Sequence, residues 1–525
     1  MARSRKHRTS AVIPKTDRPP DRAEVPAPKR TFSIAEALVW ITLALLLAFS
    51  LATFVYPLAR AFYRFEINTT EGWNVYNVQD AMQHRYLYST KLGWNSCGYP
   101  VLSFYLIGYL SHFIGDYLFT GRLLSLVGFL VSCVLVGLIV KKLTGAWRPA
   151  VFAGVFCLGL CCSGVPQYVG MDDPQMLGHA FLLLGLWLYL LAPPSTMRIA
   201  GITSLFILGG NIKHNLIPAP LAVFSDLCTT SLSKAVRFIV FGIFFLALSL
   251  AVNLLVGGPF FISNVLTPQP YSIAKARDYF FRFYSSLGLP LAISVFWSVW
   301  QFQNRQARVI AFYFFFSLLV GAAFAGGVGV STNTYFDNLF AMAIIMGACL
   351  DSLWKAPRLS LGKGGRWRFL VPVLLYSTVA MTFAPTTVYV PRMLSELPLR
   401  QELFREEVSF LAAQPGPALC ESLIRCYDAG KERILYSFTI AALARLGKLN
   451  SHELVNQITE KKYGAIQTYI PVTQRPYDPP EMGIGNSFPE DVLDAIDQNY
   501  VEALKGPDCR IYVPRKEPKG ASNPQ

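Results

Sequence analysis

Residues 119–140 read FTGRLLSLVGFLVSCVLVGLIV, and Lys141 and Lys142 follow directly. Apart from Arg122 near its start, this stretch carries no charge. A helix needs about 20 apolar residues to cross the ~30 Å hydrocarbon core of a bilayer. The lysines indicate which end faces the cytosol, because loops on that side are enriched in Lys and Arg. The stretch therefore predicts a transmembrane helix that ends in the cytosol.

Apolar segments of this kind recur through most of the chain. The protein has 525 residues, of which 53% are hydrophobic, a composition that soluble proteins rarely have. We predict eleven spanning helices, near residues 34–57, 119–140, 148–165, 175–192, 198–212, 215–229, 237–256, 281–300, 309–328, 335–354 and 369–389. The expected fold class is a polytopic α-helical membrane protein with a large first outer loop, 58–118, and a small α/β C-terminal domain.

Charge is distributed as a membrane topology requires. Residues 1–31 hold nine Lys and Arg against three acidic residues. Such a tail can bind nucleic acid, but it also matches a disordered cytosolic N-terminus, and we adopt the second interpretation with no nucleic-acid partner. The predicted inner loops all contain Lys or Arg, at 141–148, 193–198, 230–237, 301–308 and 355–368. The short outer loops 166–174 and 329–334 contain neither.

The first outer loop contains two segments of its own. Residues 98–115 are apolar but short, and counting them as a span would place the basic loop 141–148 outside. We therefore predict an interfacial or re-entrant helix there. Residues 71–84 form an amphipathic stretch that we expect to lie on the membrane.

The composition changes after Pro391. Residues 392–525 carry 16 Lys and Arg and 18 Asp and Glu, with no apolar run long enough to span. Helical patterns occur at 400–413, 438–446, 451–461 and 489–503, and strand-like runs at Ala418–Glu421, Arg433–Ser437, Ala465–Ile470 and Arg510–Val513. This alternation predicts an α/β domain over 391–525, after a membrane domain over 32–390. An odd number of spans places the domain outside the cytosol.

Acidic residues are scarce in the membrane domain. Only eleven carboxylates lie between Phe32 and Tyr389, as expected where a charge at mid-bilayer costs about 2.5–3.5 kcal/mol. Under the predicted topology, several charged residues share the extracytoplasmic face: Glu71, Asp80, Asp172, Asp173, Lys213, His214 and Asp337. A carboxylate can deprotonate an acceptor, and cations can hold a phosphate leaving group. The alternative is that helix ends simply collect polar residues.

The order of short motifs resembles a known family. An acidic first outer loop contains Gly98-Tyr99-Pro100-Val101-Leu102, and Ile114-Gly115-Asp116 and Gly121-Arg122-Leu123 follow. Later, Asp173-Pro174 opens a helix and Lys213 lies at the tip of a helical hairpin. Over residues 34–390 this resembles the GT-C membrane glycosyltransferases, which include protein O-mannosyltransferases, lipid A aminoarabinose transferases and rhizobial galacturonosyltransferases.

The resemblance implies a transferase of the bacterial inner membrane. It would move a hexose or pentose from a polyprenyl-phosphate donor to a lipid, glycan or protein acceptor on the outer face. The family often has an Asp-Glu pair in the first loop; here Thr70 replaces the first acid. Glu71 is therefore the expected general base, with Asp80 as second candidate. Asp173, which matches the second acidic motif, is the second expected catalytic residue, as an orienting carboxylate.

The remaining candidates would bind substrate. The family's hairpin Lys is usually followed by Gly, whereas Lys213 is followed by His214. Arg122 would bind phosphate or fix a helix end, and Asp337 would bind substrate or cap its helix. Together with the second candidate, the predicted substrate-binding residues are Asp80, Arg122, Asp172, Lys213, His214, Tyr335 and Asp337.

Several alternatives stay open at this stage. A lipid or glycan transporter and a catalytically inactive scaffold fit the same topology, the second because of Thr70. The loop 257–280 would be a mobile lid or an ordinary connection. Glu71, Asp172 and Asp173 could ligate a divalent cation, but the sequence predicts no metal site and no certain cofactor.

Cysteine placement gives one further prediction. Cys420 and Cys426 lie in the domain placed outside the cytosol, where disulfides persist. We predict a bridge between them, with pairing to Cys509 or free thiols as the alternatives.

Overall fold

The computed structural model describes residues 34–88, 94–95, 97–266, 270–327, 329–355, 383–474 and 488–516. The predicted tail 1–31 and most of the predicted segments 355–368 and 369–389 lie outside the described residues. The helices of the membrane part are α1 (Ile34–Arg60), α2 (Thr70–Met82), α3 (Leu102–Ile114), α4 (Tyr117–Thr144), α5 (Trp147–Gly164), α6 (Gln175–Leu191), α7 (Thr196–Ile212), α8 (Pro218–Thr230), α9 (Leu232–Val252), α10 (Phe261–Val265), α11 (Ile273–Tyr284), α12 (Gly288–Trp300), α13 (Arg305–Ala325) and α14 (Phe336–Lys355).

Five of the described helices are long and apolar enough to cross a membrane, and α11 with α12 adds a sixth if the pair is one span. They are Trp40–Arg60, Tyr117–Thr144, Trp147–Gly164, Leu232–Gly257 and Arg305–Ala325. Helices α3, α6 and α7 are apolar but shorter. In α9 only Ala235 and Phe238 are buried, as expected for a helix that faces lipid. The count of eleven spans stays a prediction.

The predicted single helix 281–300 differs from the structure. The chain ends α11 at Tyr284 and resumes as α12 at Gly288, with the two axes 95° apart. Pro290, in the first turn of α12, cannot donate a backbone hydrogen bond to a preceding turn, so a helix can begin there but cannot run through. The two helices therefore do not form one straight span.

The helices present two chemically different ends. Short connections, such as 145–146 and 192–195, make consecutive helices antiparallel. One end gathers the N-termini of α4, α6, α8 and α14. At the other end Asp226 accepts hydrogen bonds from Tyr189, Arg305 and Arg308, at 2.6, 3.0 and 3.2 Å. Helix α6 has 17 residues and separates the ends by about 25 Å.

Helix α2 is buried, and the prediction that 71–84 lies on the membrane is wrong. Its residues Glu71–Val78 are all buried, between α3, α4 and residues 423–436 of the C-terminal part. Tyr76 donates from its hydroxyl to Lys431 O at 2.6 Å, and Trp73 packs on Tyr436 with ring centroids 5.9 Å apart. The polar face that suggested contact with water instead meets protein.

The C-terminal part contains a small mixed sheet. Its elements are α15 (Ala384–Ser395), α16 (Leu397–Ala413), β1 (Ala418–Cys420), α17 (Leu423–Asp428), α18 (Ser437–Arg445), α19 (His452–Thr459), β2 (Ala465–Thr468), α20 (Glu490–Asn499), β3 (Tyr500–Lys505) and β4 (Arg510–Pro514). The strand order is β1-β2-β4-β3, with β1 and β2 parallel and the other pairs antiparallel. Leu419 and Ile466 pack with α18, α19 and α20, while Ala418 and Ile511 pack with α16 and α17.

Two sequence predictions fail in this part. Arg433–Ser437 is not a strand: Arg433 binds Asp80 and Asn77, and Tyr436 donates its N–H to Trp94 O at 2.9 Å. The predicted helix 489–503 ends at Asn499, and β3 follows. Pairing of Tyr500–Lys505 with β4 outweighs the weak helical pattern there.

The predicted disulfide is confirmed. Cys420 and Cys426 are bonded, and Cys509 is a free, buried thiol.

Candidate functional site

A fully buried ion pair anchors the end of the bundle where α2, α4 and α6 meet. Arg122 donates from Nε and Nη2 to the two oxygens of Glu71, at 2.8 and 2.7 Å. The same guanidinium donates to Tyr63 O and Phe65 O at 2.6 and 2.7 Å. Such a bidentate pair has strict geometry. The pair therefore fixes the chain segment 63–67 relative to α4.

Hydrogen-bond donors surround both oxygens of the Glu71 carboxylate. Besides Arg122, it accepts hydrogen bonds from Ile67 N at 2.8 Å and Asp172 N at 2.9 Å. Glu71 is completely buried. A general base needs a lone pair directed at its substrate, so this geometry does not suit the role predicted for Glu71. Its contacts are those of an anchor.

The loop 165–174 carries Asp172 and Asp173 to this anchor. Arg60, at the end of α1, donates to Pro166 O, Gln167 O and Val169 O at 3.0, 3.3 and 2.8 Å. Asn74, one turn after Glu71 in α2, donates from Nδ2 to Asp172 O. The backbone of Asp172 is therefore held on both sides, by Asn74 at its carbonyl and by Glu71 at its N–H.

The side chain of Asp172 differs from the neighbouring charged side chains in its lack of hydrogen bonds within the described part of the chain. It is completely buried, and neither carboxyl oxygen has a hydrogen-bond partner among the described residues. It lies against Gly121, where a Cβ would come within 3.0 Å of Oδ2 and closer still to Oδ1. Burial raises the pKa of this carboxyl well above 3.8, the negative charge of Glu71 raises it further, and Arg122 opposes both.

Asp173 forms a second, separate ion pair. Its Oδ1 accepts from Gln175 N at 3.0 Å, and its Oδ2 lies 3.2 Å from Lys213 Nζ. Lys213 also donates to Gln175 Oε1 at 2.7 Å and lies 5.1 Å from the ring centre of Tyr99. Burial lowers the pKa of Lys213, but Asp173 and the nearby tyrosines more than offset this and raise it. Lys213 is therefore a buried, charged ammonium.

A chain of contacts leads from Lys213 to α14. Gln175 Nε2 lies 3.0 Å from His179 Nε2 and donates to Asn333 O at 2.8 Å. His179 Nδ1 lies 3.4 Å from Asp337 Oδ1, which accepts from the Tyr313 hydroxyl at 2.7 Å. Because the Gln175 amide donates to Nε2, the ring proton of neutral His179 belongs on Nδ1, facing Asp337.

The structure brings together most of the predicted site residues. Glu71, Arg122, Asp172, Asp173, Lys213 and Asp337 belong to one connected network. His214 is exposed beside it, with its ring centre 6.4 Å from that of Tyr99.

Two predicted site residues lie apart from the network. Asp80 forms an ion pair with Arg433, more than two turns along α2 from Glu71. Tyr335 stacks on Phe283 with ring centres 4.5 Å apart.

Sequence reasoning missed Asn74, Tyr99, Gln175 and His179. The last two follow Asp173-Pro174 and are four positions apart, so they lie on one face of α6 at the end where the acidic motif precedes it. Asn74 lies three positions after Glu71 on the same face of α2. Their spacing was a usable signal, since a polar residue on an apolar helix needs a partner.

Two further features bear on ligands. Among the described residues, no group of three or more His, Cys, Asp or Glu is arranged to hold a metal ion. Two cavities lie away from the network. One of about 240 Å³ borders Lys142, Tyr189 and Arg305 at the opposite end, and one of about 290 Å³ lies between α1, α5 and α15.

No family model matches the sequence, and no curated protein matches it. The structure resembles ArnT from Cupriavidus metallidurans in two crystal structures. For the form bound to undecaprenyl phosphate the TM-score is 0.56 at 11% identity, over 93% of this chain and 100% of that chain. For the apo form it is 0.57 at 10% identity, over 91% and 98%.

The Archaeoglobus fulgidus oligosaccharyltransferase in its apo form gives a TM-score of 0.48 at 11% identity, over 82% of this chain and 69% of that chain. That score is too low to support an argument. The two crystal structures show that this chain has the fold of ArnT, in agreement with the resemblance carried by its motifs.

Proposed function

We propose that the protein transfers a sugar from a polyprenyl-phosphate donor to an acceptor on the extracytoplasmic face of the bacterial inner membrane. The observation that carries the proposal is an unpartnered carboxyl, Asp172, next in the chain to Asp173, which binds the buried ammonium of Lys213 at one end of a membrane helix bundle. Sugar transfer from a lipid phosphate needs both groups: one accepts a proton and one holds the phosphate.

Asp172 is the proposed general base. Its neighbours Glu71, Arg122 and Asp173 are all engaged in ion pairs, whereas both oxygens of Asp172 are unpartnered. Burial raises its pKa, and a carboxylate with a raised pKa is a stronger base once it has lost its proton. Since Asp172 is fully covered, an acceptor reaches it only by displacing the side chains now around it.

Lys213 is the proposed phosphate-binding group. In the reaction, an acceptor hydroxyl or amine attacks the anomeric carbon while the bond from that carbon to the phosphate oxygen breaks. The acceptor proton goes to Asp172, and the polyprenyl phosphate leaves with an added negative charge that Lys213 stabilises. Asp173, Gln175 and Tyr99 hold the ammonium in place.

Glu71 and Arg122 take a supporting role in this proposal. Glu71 accepts the N–H of Asp172, so the pair fixes the backbone that carries the base. His214 is exposed next to Lys213, where it can contact the donor or the acceptor. Asp337 lies at the far side of the network and Tyr335 lies apart from it on Phe283, so neither takes part in the proposed reaction.

The fold supports the donor class. The ArnT crystal structure with the same fold contains undecaprenyl phosphate. The proposed topology has residues 1–31 in the cytosol, a membrane domain over 32–390 and an extracytoplasmic domain over 391–525. Two basic residues of the predicted inner loop 301–308, Arg305 and Arg308, lie at the end of the bundle opposite Asp172, which agrees with this orientation.

A transfer assay tests the proposal. Purified protein in liposomes is given radiolabelled polyprenyl-phosphate hexoses and pentoses together with lipid, glycan and protein acceptors. We expect label to move from donor to one acceptor class. Asp172→Asn should reduce the rate by about 100-fold or more, in line with general-base contributions.

The control is Asp508→Asn, at an exposed position of the C-terminal part. It should leave the rate unchanged. Label that crosses the bilayer without leaving its donor would indicate a transporter. No transfer with any donor and acceptor would favour a catalytically inactive scaffold, the alternative that Thr70 raises.

A further inference from the structure

The Cys420–Cys426 bridge closes a loop, 421–425, that joins β1 to α17. Every residue of this loop is buried. It lies against the first outer loop of the membrane part, not against water. Its contacts reach the chain on both sides of Glu71.

The first contact is through Glu66. The Ser422 hydroxyl donates to Glu66 Oε2 at 2.8 Å, and Arg425 Nη1 lies 3.0 Å from the same oxygen. The backbone on either side of Glu66 belongs to the anchor: Phe65 O accepts from Arg122, and Ile67 N donates to Glu71. The loop therefore holds the side chain of Glu66. The backbone of the two residues beside Glu66 contacts the Glu71–Arg122 pair.

The second contact is through Gly72, the residue after Glu71. A Cβ at this position would lie 2.6 Å from Leu423 C and closer still to Ile424 N, both backbone atoms of α17. Backbone cannot rotate away as a side chain can. Only glycine allows α2 to approach the loop this closely, and the bridge keeps the opposing backbone in place.

We propose that the disulfide-closed loop 420–426 is the positioning element of the candidate active site, and that Gly72 and Glu66 are the positioning residues through which it acts. The loop fixes residues 66–72, these fix Glu71, and Glu71 holds the N–H of Asp172. Opening the bridge restores conformational freedom to a short loop that is otherwise closed, and this freedom passes to α2. The part of this inference that concerns the transfer rate rests on the proposed function.

The test measures hydrogen exchange first and transfer second. In Cys420→Ser/Cys426→Ser and in Gly72→Ala, amides of residues 70–82 and 165–174 should exchange at least about tenfold faster than in the wild type, while those in the middle of α4 stay unchanged. In the transfer assay kcat should fall on the order of 100-fold with little change in KM, since misplacement by about 1 Å has that effect.

Matched controls separate positioning from general damage. Cys228→Ser removes an exposed free thiol, and Gly201→Ala adds a methyl group to a helical glycine with nothing within 4 Å. Both should behave as wild type. Ser422→Ala removes one hydroxyl and keeps the bridge, so it tests the contact with Glu66 even if the double serine variant does not fold.

Two outcomes are decisive. Unchanged exchange over 70–82 in Gly72→Ala and Ser422→Ala would overturn the inference, whatever the activity. If the wild type shows no transfer, the proposed function fails, but the exchange data still decide whether the loop positions α2.

Discussion

Asp172 and Asp173 are neighbours in the chain whose surroundings have opposite effects on stability. Asp172 has a raised pKa, because burial and Glu71 both oppose its charge. The folded state keeps this proton at pH values where the unfolded chain has lost it. The free energy of unfolding therefore decreases as pH rises from 3.8 towards the folded-state pKa. Asp172→Asn should raise the thermal midpoint at pH 8 more than at pH 5.

Asp173→Asn should lower the thermal midpoint, in contrast to Asp172→Asn. It leaves the Lys213 ammonium buried without its carboxylate, and breaking a buried pair costs about 3–5 kcal/mol. Thermal unfolding of both variants in one detergent checks the contrast. Equal midpoint shifts for the two would contradict the distinction between the carboxylates.

The Glu71–Arg122 pair gives a third residue-scale prediction. Glu71→Gln leaves Arg122 buried and uncompensated, so it should destabilise by about 3–5 kcal/mol. The exposed pair Arg392–Glu396, with side chains 80% and 37% accessible, is the matched control, and Glu396→Gln should cost less than about 1 kcal/mol. Denaturant unfolding in detergent measures both. A fully stable Glu71→Gln with lost activity would instead restore Glu71 as the base.

At this scale the sequence selected residues that the structure brings into one network, whereas their roles stay predictions. Scarcity of charge in apolar segments was enough to select Glu71, Asp172, Asp173 and Lys213. Which carboxylate is unpartnered depends on Arg122, which is 51 positions from Glu71 in the chain. No local pattern shows that contact, so the sequence could not tell an anchor from a base.

Among the elements, the packing of the loop 165–174 on α4 depends on Gly121. An added Cβ there would overlap the carboxyl of Asp172. Gly121→Ala should therefore move that side chain and reduce transfer strongly, while α4 remains folded because Ala favours helix. Transfer rate and thermal midpoint, measured beside Gly201→Ala, check this. Normal transfer by Gly121→Ala would show that Asp172 does not need its present position.

Helices and strands were predictable from the sequence where one hydrophobic pattern ran through the whole segment. The spans over α4 and α5 and strands β1, β2 and β4 follow from length and apolar content. The bend between α11 and α12 was missed although Pro290 marks it locally. Strand β3 was missed because its pairing with β4, a tertiary contact, decides it. Helix α2 is the clearest case: its polar residues Tyr76 and Asn77 meet Lys431 and Arg433, more than 350 positions along the chain.

For the whole molecule, orientation is the testable property. A reporter fused after Pro193 should be cytosolic, and one fused after Arg515 extracytoplasmic, because the basic helix ends and the site lie at opposite ends of the bundle. Activity of fluorescent and periplasmic reporters measures this. Two fusions on the same side would disprove the shared-face arrangement from which the proposed mechanism follows.

The burial of α2 under residues 423–436 also dictates an order of events during synthesis. The ribosome delivers Glu71 early, but the segments that cover its helix emerge only after all the described membrane helices have been made. Under the proposed topology these segments must first cross the bilayer, and until then Tyr76 and Asn77 of α2 lack the partners that Lys431 and Arg433 provide. We therefore expect that a nascent chain gains its proposed activity only after its last quarter has been exported.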